Sequence, residues 1–98
     1  MISLSAGSAH SISDKPVVPT VHLNGTDKQD LLNQLQEAIG SVEDAGKSLA
    51  KASPHLRDYY TQPKGEWNRA QDQHEARIVK LREIVKELET IAEGVIDQ

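Results

Sequence analysis

Two stretches of the chain carry apolar residues at steps of three and four, the spacing of a helix that packs lengthwise along a partner. The first series comprises Leu31, Leu35, Ala38, Val42, Ala45, Leu49 and Ala52, with Leu32 and Ile39 beside it. The second comprises Trp67, Ala70, His74, Ile78, Leu81, Ile84, Val85, Leu88, Ile91, Ala92 and Val95. Pro54 separates them and cannot continue a helix. The pattern predicts an all-α fold, an antiparallel two-helix hairpin with helices at about 27–52 and 64–96.

A pair of helices leaves part of each apolar stripe facing water. The chain has 98 residues, enough for one domain at most, and short chains bury a small fraction of their surface. Self-association is a common remedy, so we expect a homo-oligomer whose main partner is itself. Because the second helix is predicted to be longer, we also expect its end at 88–95 to lack a partner on the first helix. The N-terminal arm or another subunit would then cover it.

The N-terminal quarter of the chain changes composition twice. Residues 1–15 are rich in Ser, Gly and Ala and predict a flexible tail. Residues 16–25 contain two prolines with Val, Thr and Leu, which favours an extended arm lying in a groove of its own subunit or of a neighbour. Residues 26–98 then form the predicted helical hairpin domain.

Both helix starts carry recognisable signals. Thr26 is predicted to cap the first helix, with Gln29 completing a capping box. Pro63 is predicted to open the second helix, because proline is well tolerated at the first helical position.

Composition excludes several classes of protein. The formal net charge of −4 argues against a general nucleic-acid-binding protein, which needs a basic face. The chain has no cysteine, so it has neither disulfides nor thiolate sites, and this suits a reducing compartment. The N-terminus lacks the basic start and apolar run of a signal peptide. No apolar stretch approaches the roughly 20 residues that cross a bilayer. We expect a cytoplasmic protein without membrane contact.

The connector between the helices is the first candidate site. All aromatic residues of the chain lie between 59 and 67, close to basic side chains. Arginine offers a planar fork for phosphate, and tyrosine offers a stacking face and a hydroxyl, a combination suited to a nucleotide-like ligand. The predicted ligand-binding residues here are His55, Arg57, Asp58, Tyr59, Tyr60, Trp67 and Arg69. The alternative interpretation is that the two tyrosines close the end of the hairpin while Arg57 pairs with Asp58 or a helix terminus.

A second candidate cluster comprises His22, Asn24 and Thr26. A helix N-terminus offers free amides and a positive dipole end, which suit an anion. The alternative is that Asn24-Gly25 forms a turn and Thr26 only caps the helix. In an antiparallel hairpin this cluster and the connector lie at opposite ends. They can share a pocket only across subunits, or if the arm runs the length of the hairpin.

Signals for catalysis are weak. A lone histidine on a helix seam, such as His74, is typical of a hydrogen-bonded core residue. His74-Glu75 resembles the start of a zinc-protease helix, but position 78 is Ile, so the second metal-binding histidine is missing. Neither a Walker loop nor a dinucleotide fingerprint nor a Ser-His-Asp arrangement is present. We expect no catalytic residues, no metal and no cofactor.

The chain resembles short proteins of tailed bacteriophages and prophages that have no established activity. The shared features are Pro19–Thr26, Pro54-His55, Arg57–Tyr60, and the spaced residues Trp67, Ala70, His74 and Arg77, so the resemblance covers about 19–95. These relatives often carry Gly at the position of Leu56, so the backbone of the connector is expected to differ here. The resemblance implies phage origin and the helical-hairpin architecture. It supplies no site residue.

Phage origin leaves three functions open. One is a non-enzymatic accessory protein that binds and sequesters a small anionic nucleotide-like ligand, a host immune signal, by analogy with small helical phage oligomers that capture nucleotide second messengers. The second is a structural or assembly protein whose arm laces subunits together. The third is an inhibitor of a host protein. The expected location is the cytoplasm of the bacterial host cell, or the virion for the second function.

Overall fold

The computed structural model describes residues 15–98 and contains two long helices that pack against each other. Helix α1 spans Lys28–Lys51 and helix α2 spans Glu66–Ile96, with a single 3-10 turn at Leu56–Asp58 between them. No strand occurs within residues 15–98. The prediction of an all-α fold built on two packed helices is confirmed. The predicted tail, apart from Lys15, lies outside the described residues.

Contacts near both ends of the pair fix an antiparallel arrangement. The Lys28 ammonium donates to the backbone oxygen of Ile96 at 3.1 Å, so the first residue of α1 lies beside the last residue of α2. Near the other end of α1, Nε2 of His74 lies 2.7 Å from the carbonyl oxygen of Leu49. Because a carbonyl can only accept, Nε2 carries the proton and donates. His74 is buried, which confirms it as a hydrogen-bonded core residue.

This register corrects the prediction that 88–95 lacks a partner on α1. The two helices have 31 and 24 residues, so α2 is longer by seven, about two turns. Since His74 lies beside Leu49, the extra turns are at the N-terminal end of α2. Tyr59 of the connector packs against Trp67 in the first of these turns.

The helices begin at residues other than those predicted. Asp27, not Thr26, caps α1: its Oδ2 accepts from the amides of Gln29 at 3.0 Å and Asp30 at 3.3 Å. Aspartate caps better than threonine, and its charge complements the positive end of the helix dipole. The predicted capping box is therefore wrong.

Helix α2 begins at Glu66, three residues after Pro63, so the prediction that Pro63 opens it is also wrong. Gly65 precedes the helix with φ of 95°, in the left-handed region that favours glycine. A right-handed helix cannot run through a residue in that conformation, so α2 starts after it.

The arm lies against the C-terminal end of α2 in its own chain. The side-chain amide of Gln98 donates to the carbonyl of Pro19 at 2.7 Å and accepts from the amide of Val21 at 2.8 Å. It thereby satisfies two backbone groups of the extended arm, as a neighbouring strand would. Val18 covers Gly94 so closely that a Cβ added to the glycine would lie 2.7 Å from each of the two valine methyl groups.

Burial is shallow almost everywhere. Within residues 15–98 only His74 and Val95 are buried, and Val95 alone is fully so. The other predicted seam residues are mostly half-buried, and Ala45, Ala52 and Ile84 are exposed, contrary to prediction. Ala45 and Ile84 lie at the margins of the stripes, where one neighbouring helix does not reach, and Ala52 follows the last residue of α1. Neither α1 nor α2 offers an apolar stretch long enough to cross a membrane.

Candidate ligand-binding surface

The connector begins with a tight 3-10 turn at the end of the hairpin, and further turns follow it before α2. The amide of Asp58 donates to the carbonyl of His55 at 3.0 Å, and that of Tyr59 to the carbonyl of Leu56 at 2.9 Å. These bonds to the third preceding residue define the 3-10 geometry. The side chains of His55, Leu56 and Arg57 are exposed, as are those of Asp58 and Tyr60. We call these five residues the connector surface.

The two adjacent tyrosines have different environments. Tyr59 is half-buried and packs against Trp67, with ring centroids 6.0 Å apart and planes tilted by 47°. This aromatic pair, of a geometry that is favourable in proteins, holds the connector against the first turn of α2. Tyr60 is 73% exposed, so its ring and hydroxyl face solvent. The alternative interpretation, in which both tyrosines close the end of the hairpin, therefore fits Tyr59 and not Tyr60.

Arg57 and His55 lie side by side on the connector surface. Nη1 of Arg57 is 3.3 Å from Nδ1 of His55. Because arginine only donates, Nδ1 is the acceptor in this contact and the imidazole proton is on Nε2. The alternative interpretation expected Arg57 to pair with Asp58 or with a helix terminus, and Arg57 does neither. Its other guanidinium donors have no protein partner within residues 15–98, which leaves them available to an anion.

Arg69 is less available. Its Nη1 donates to both carboxylate oxygens of Glu66, at 2.9 and 3.1 Å. That hydrogen bond, with the attraction of the negative charge, raises the pKa of Arg69 above its ordinary value. The side chain therefore stays charged, but an anionic ligand would have to compete with Glu66 for it.

The second predicted cluster lies at the other end of the molecule. His22 and Gly25 close a turn through a 3.0 Å hydrogen bond between their backbones, and a Cβ on Gly25 would lie 2.8 Å from the His22 ring. The helix amides expected to bind an anion are already bonded to Asp27, and Thr26 is outside the cap. The structure supports the turn of the alternative interpretation, but the cap that follows it is Asp27 and not Thr26.

Distance separates the two clusters within one chain. Helix α1 has 24 residues and is about 36 Å long, and it lies between them. The arm does not bridge this distance, because it is seated at Gln98 and Gly94, beside the start of α1. One subunit therefore does not bring His22 or Asn24 to the connector surface.

Sequence reasoning missed two residues at the end of the molecule where the arm lies. Gln98 holds the arm, and Lys28 joins the start of α1 to the end of α2. Lys28 donates to the backbone oxygens of both Ile96 and Gln98 at 3.1 Å, and its charge complements the negative end of α2. The only hint was that a lysine in the first turn of α1 opposes the dipole of its own helix. Nothing in the sequence pattern pointed to Gln98.

Two open cavities of about 530 and 640 Å³ lie along the line where α1 and α2 meet. Neither is lined by the connector surface or by the His22 cluster. Within residues 15–98 no cluster of three or more histidine and carboxylate side chains is arranged to hold a metal ion. The connector surface presents hydrogen-bond donors and a positive charge from Arg57 and an exposed aromatic ring from Tyr60. No family model, curated protein or solved structure matches the chain.

Proposed function

We propose that this chain is a non-enzymatic phage accessory protein that self-associates and binds a small anionic, nucleotide-like ligand at its connector surface. The ligand class follows from chemistry. Arg57 and His55 supply adjacent donors for a phosphate, and Tyr60 supplies an exposed ring on which a base can stack. A nucleotide second messenger of the host immune system has both parts.

The observation that supports this proposal best is that Tyr59 packs against Trp67 while the adjacent Tyr60 is exposed. Tyr59 is anchored on Trp67 and fixes the backbone of the connector, so Tyr60 and Arg57 start from a positioned turn. Positioned groups lose less conformational entropy when a ligand binds. A surface loop without that anchor would bind the same ligand more weakly.

Asp58 sets a limit on ligand charge and orientation. Its carboxylate is exposed next to Arg57 and repels a phosphate. It can accept a hydrogen bond from an amino or imino group of a base instead. Of the other predicted contacts, His22 and Asn24 reach a ligand on this surface only from a second subunit.

The test is titration calorimetry of the full chain against a panel of cyclic and linear nucleotides. We expect Arg57→Ala to weaken binding about 10- to 100-fold, since a hydrogen bond to a charged group contributes about 1.5–3 kcal/mol. The matched control is Arg77→Ala, an exposed arginine on α2 away from the connector. Tyr60→Ala should weaken binding more than Tyr60→Phe if the ring stacks. Absence of heat with every nucleotide, or equal effects of Arg57→Ala and Arg77→Ala, would contradict the proposal.

One observation favours the structural alternative. The arm leaves Val17 and Leu23 almost fully exposed on either side of its seated part, and Leu23 is 98% exposed. Exposed apolar side chains on an arm suit exchange between neighbouring subunits. In that case the protein is a component of purified particles, and mass spectrometry of those particles should detect it.

A further inference from the structure

The two cavities adjoin along the helices and form one groove, which is more apolar in the half nearer the connector. One cavity follows the other along both helices, and Glu43 lines both. Five apolar side chains of the lining are half-buried: Ile39 and Val42 of α1, and Ile78, Leu81 and Val85 of α2. We call this surface the inter-helix groove.

The rim of the inter-helix groove is divided by charge. Glu89 and Glu93 lie along the half nearer the arm, and Lys47, Arg82 and Lys86 lie along the half nearer the connector. Glu43 lies where the halves meet. Arg82 has an ion pair with Glu75, but at 3.9 Å with both side chains well exposed, so it contributes little. The groove therefore has an acidic half and a basic half.

We infer that the inter-helix groove seats a second copy of this chain, laid antiparallel about a twofold axis near the middle of the groove. A twofold axis places the same surface on both subunits, so the acidic half of each copy faces the basic half of the other. A parallel copy would set like charges against each other. This inference rests on the self-association in the proposed function, and not on its ligand.

Two glycines of α1 support the same arrangement. Gly40 and Gly46 line the groove, and a Cβ added to either would meet no atom within 4 Å. Glycine inside a helix costs about 1 kcal/mol relative to alanine. The single chain gives no packing reason for that cost at either position, whereas a second backbone lying close along the wall does.

The arm is not the occupant of the groove. Val18 covers Gly94, and Gly94 follows Glu93 on the rim by one residue, a rotation of about 100° around α2. The arm and the groove are therefore on different faces of the helix, and seating the arm leaves the groove open.

The test uses two full-length charge variants that are each self-repelling but complementary to one another. Lys47→Glu with Lys86→Glu leaves Arg82 as the one basic residue of the groove, and Glu89→Lys with Glu93→Lys leaves Glu43 as its one acidic residue. We expect each variant alone to raise the Kd for self-association at least about tenfold. An equimolar mixture should restore association to within about threefold of the natural chain. The control, Arg77→Glu with Lys80→Glu, reverses two exposed charges outside the groove and should leave association unchanged.

Sedimentation velocity and native mass spectrometry of the natural chain, the variants and the mixture give outcomes that separate the claims. Restored heteromer formation in the mixture supports the inference, and that restoration also shows that the variants fold. If the natural chain is oligomeric and none of the four charge reversals changes its association, the inference is overturned while self-association stands. A natural chain that stays monomeric at micromolar concentration overturns both and leaves the groove to another occupant. Ligand binding is measured independently, so its failure leaves the inference intact.

Discussion

The two ends of the hairpin are built on different principles. At the arm end, defined by residues 18–21 with Gly94–Gln98, an extended segment is fixed by the Gln98 amide, and Val95 next to Gly94 is fully buried. At the connector end, residues 55–60 rest on a single aromatic pair, and Leu56 and Tyr60 remain more than half exposed. The arm therefore completes the packing at one end of the hairpin, whereas the connector at the other end keeps most of its side chains exposed.

The largest difference between the two ends is expected when the same negative charge is placed at each of them. Val95→Asp puts an unpaired carboxylate in the one fully buried apolar position of the described chain, and we expect it to lower the free energy of unfolding by more than about 3 kcal/mol. Leu56→Asp, at a side chain that is 53% exposed, should cost less than about 0.5 kcal/mol. Urea denaturation followed by circular dichroism measures both. Equal losses would show that the ends do not differ.

A second substitution probes the close approach of the arm to α2. Gly94→Ala brings a Cβ to within 2.7 Å of the Val18 methyl groups, so the arm must shift. We expect a net loss of about 1–2 kcal/mol, because overpacking outweighs the gain in helix propensity. The control is the same change in a Val18→Ala background, where both methyl groups are gone and only the Cβ remains at 3.2 Å, so the loss should be clearly smaller. If Gly94→Ala stabilises the natural chain, the arm does not occupy this position.

A third variant tests the hydrogen bonds that hold the arm. Gln98→Glu keeps an acceptor for the Val21 amide but replaces the donor to Pro19 with a carboxylate facing a carbonyl oxygen. A loss of about 1 kcal/mol should follow. Gln62→Glu makes the same change at an exposed residue near the connector and should leave the thermal midpoint unchanged. A Gln98→Glu protein with the midpoint of the natural chain would argue against a role for this amide.

The smallest expected effect concerns Lys28. Lys28→Met removes the charge that neutralises the C-terminal end of α2, and about 0.5 kcal/mol should be lost at low ionic strength. Because salt screens exposed charges, the difference should shrink as the salt concentration rises. Paired denaturation curves at low and high salt measure this. A difference that is independent of salt would indicate lost packing of the lysine stem instead.

The helix pair was predictable because its signal is periodic. Heptad spacing on either side of Pro54 identifies two packed helices whatever the partner. Choosing Thr26 as the cap failed because Asp27 is adjacent and is also a capping residue type, and local geometry decides between them. Sequence spacing did not reveal the pairing of Gln98 with the arm, because its partners are 77 and 79 residues away.

The candidate site shows the same limit. The sequence predicted a ligand site from the arginine, histidine and tyrosine residues of the connector. Tyr59 and Tyr60 are identical and adjacent, yet one packs on Trp67 and the other faces solvent. The local geometry of the connector after the 3-10 turn decides which tyrosine packs and which is exposed. A periodic sequence pattern does not encode such local geometry. Telling the tyrosine that packs from the tyrosine that is exposed therefore needed the structure.

Hydrogen exchange at the amide of Val21 tests the contrast between the two ends most directly. This amide lies outside regular secondary structure and donates to the Gln98 side chain, so its protection reports on the seated arm alone. We expect it to exchange far more slowly than an unstructured amide, and more slowly than the amides of Asp58 and Tyr59 in the connector turn. If Val21 exchanges at the unprotected rate while α2 remains protected, the arm end is open and the account is wrong.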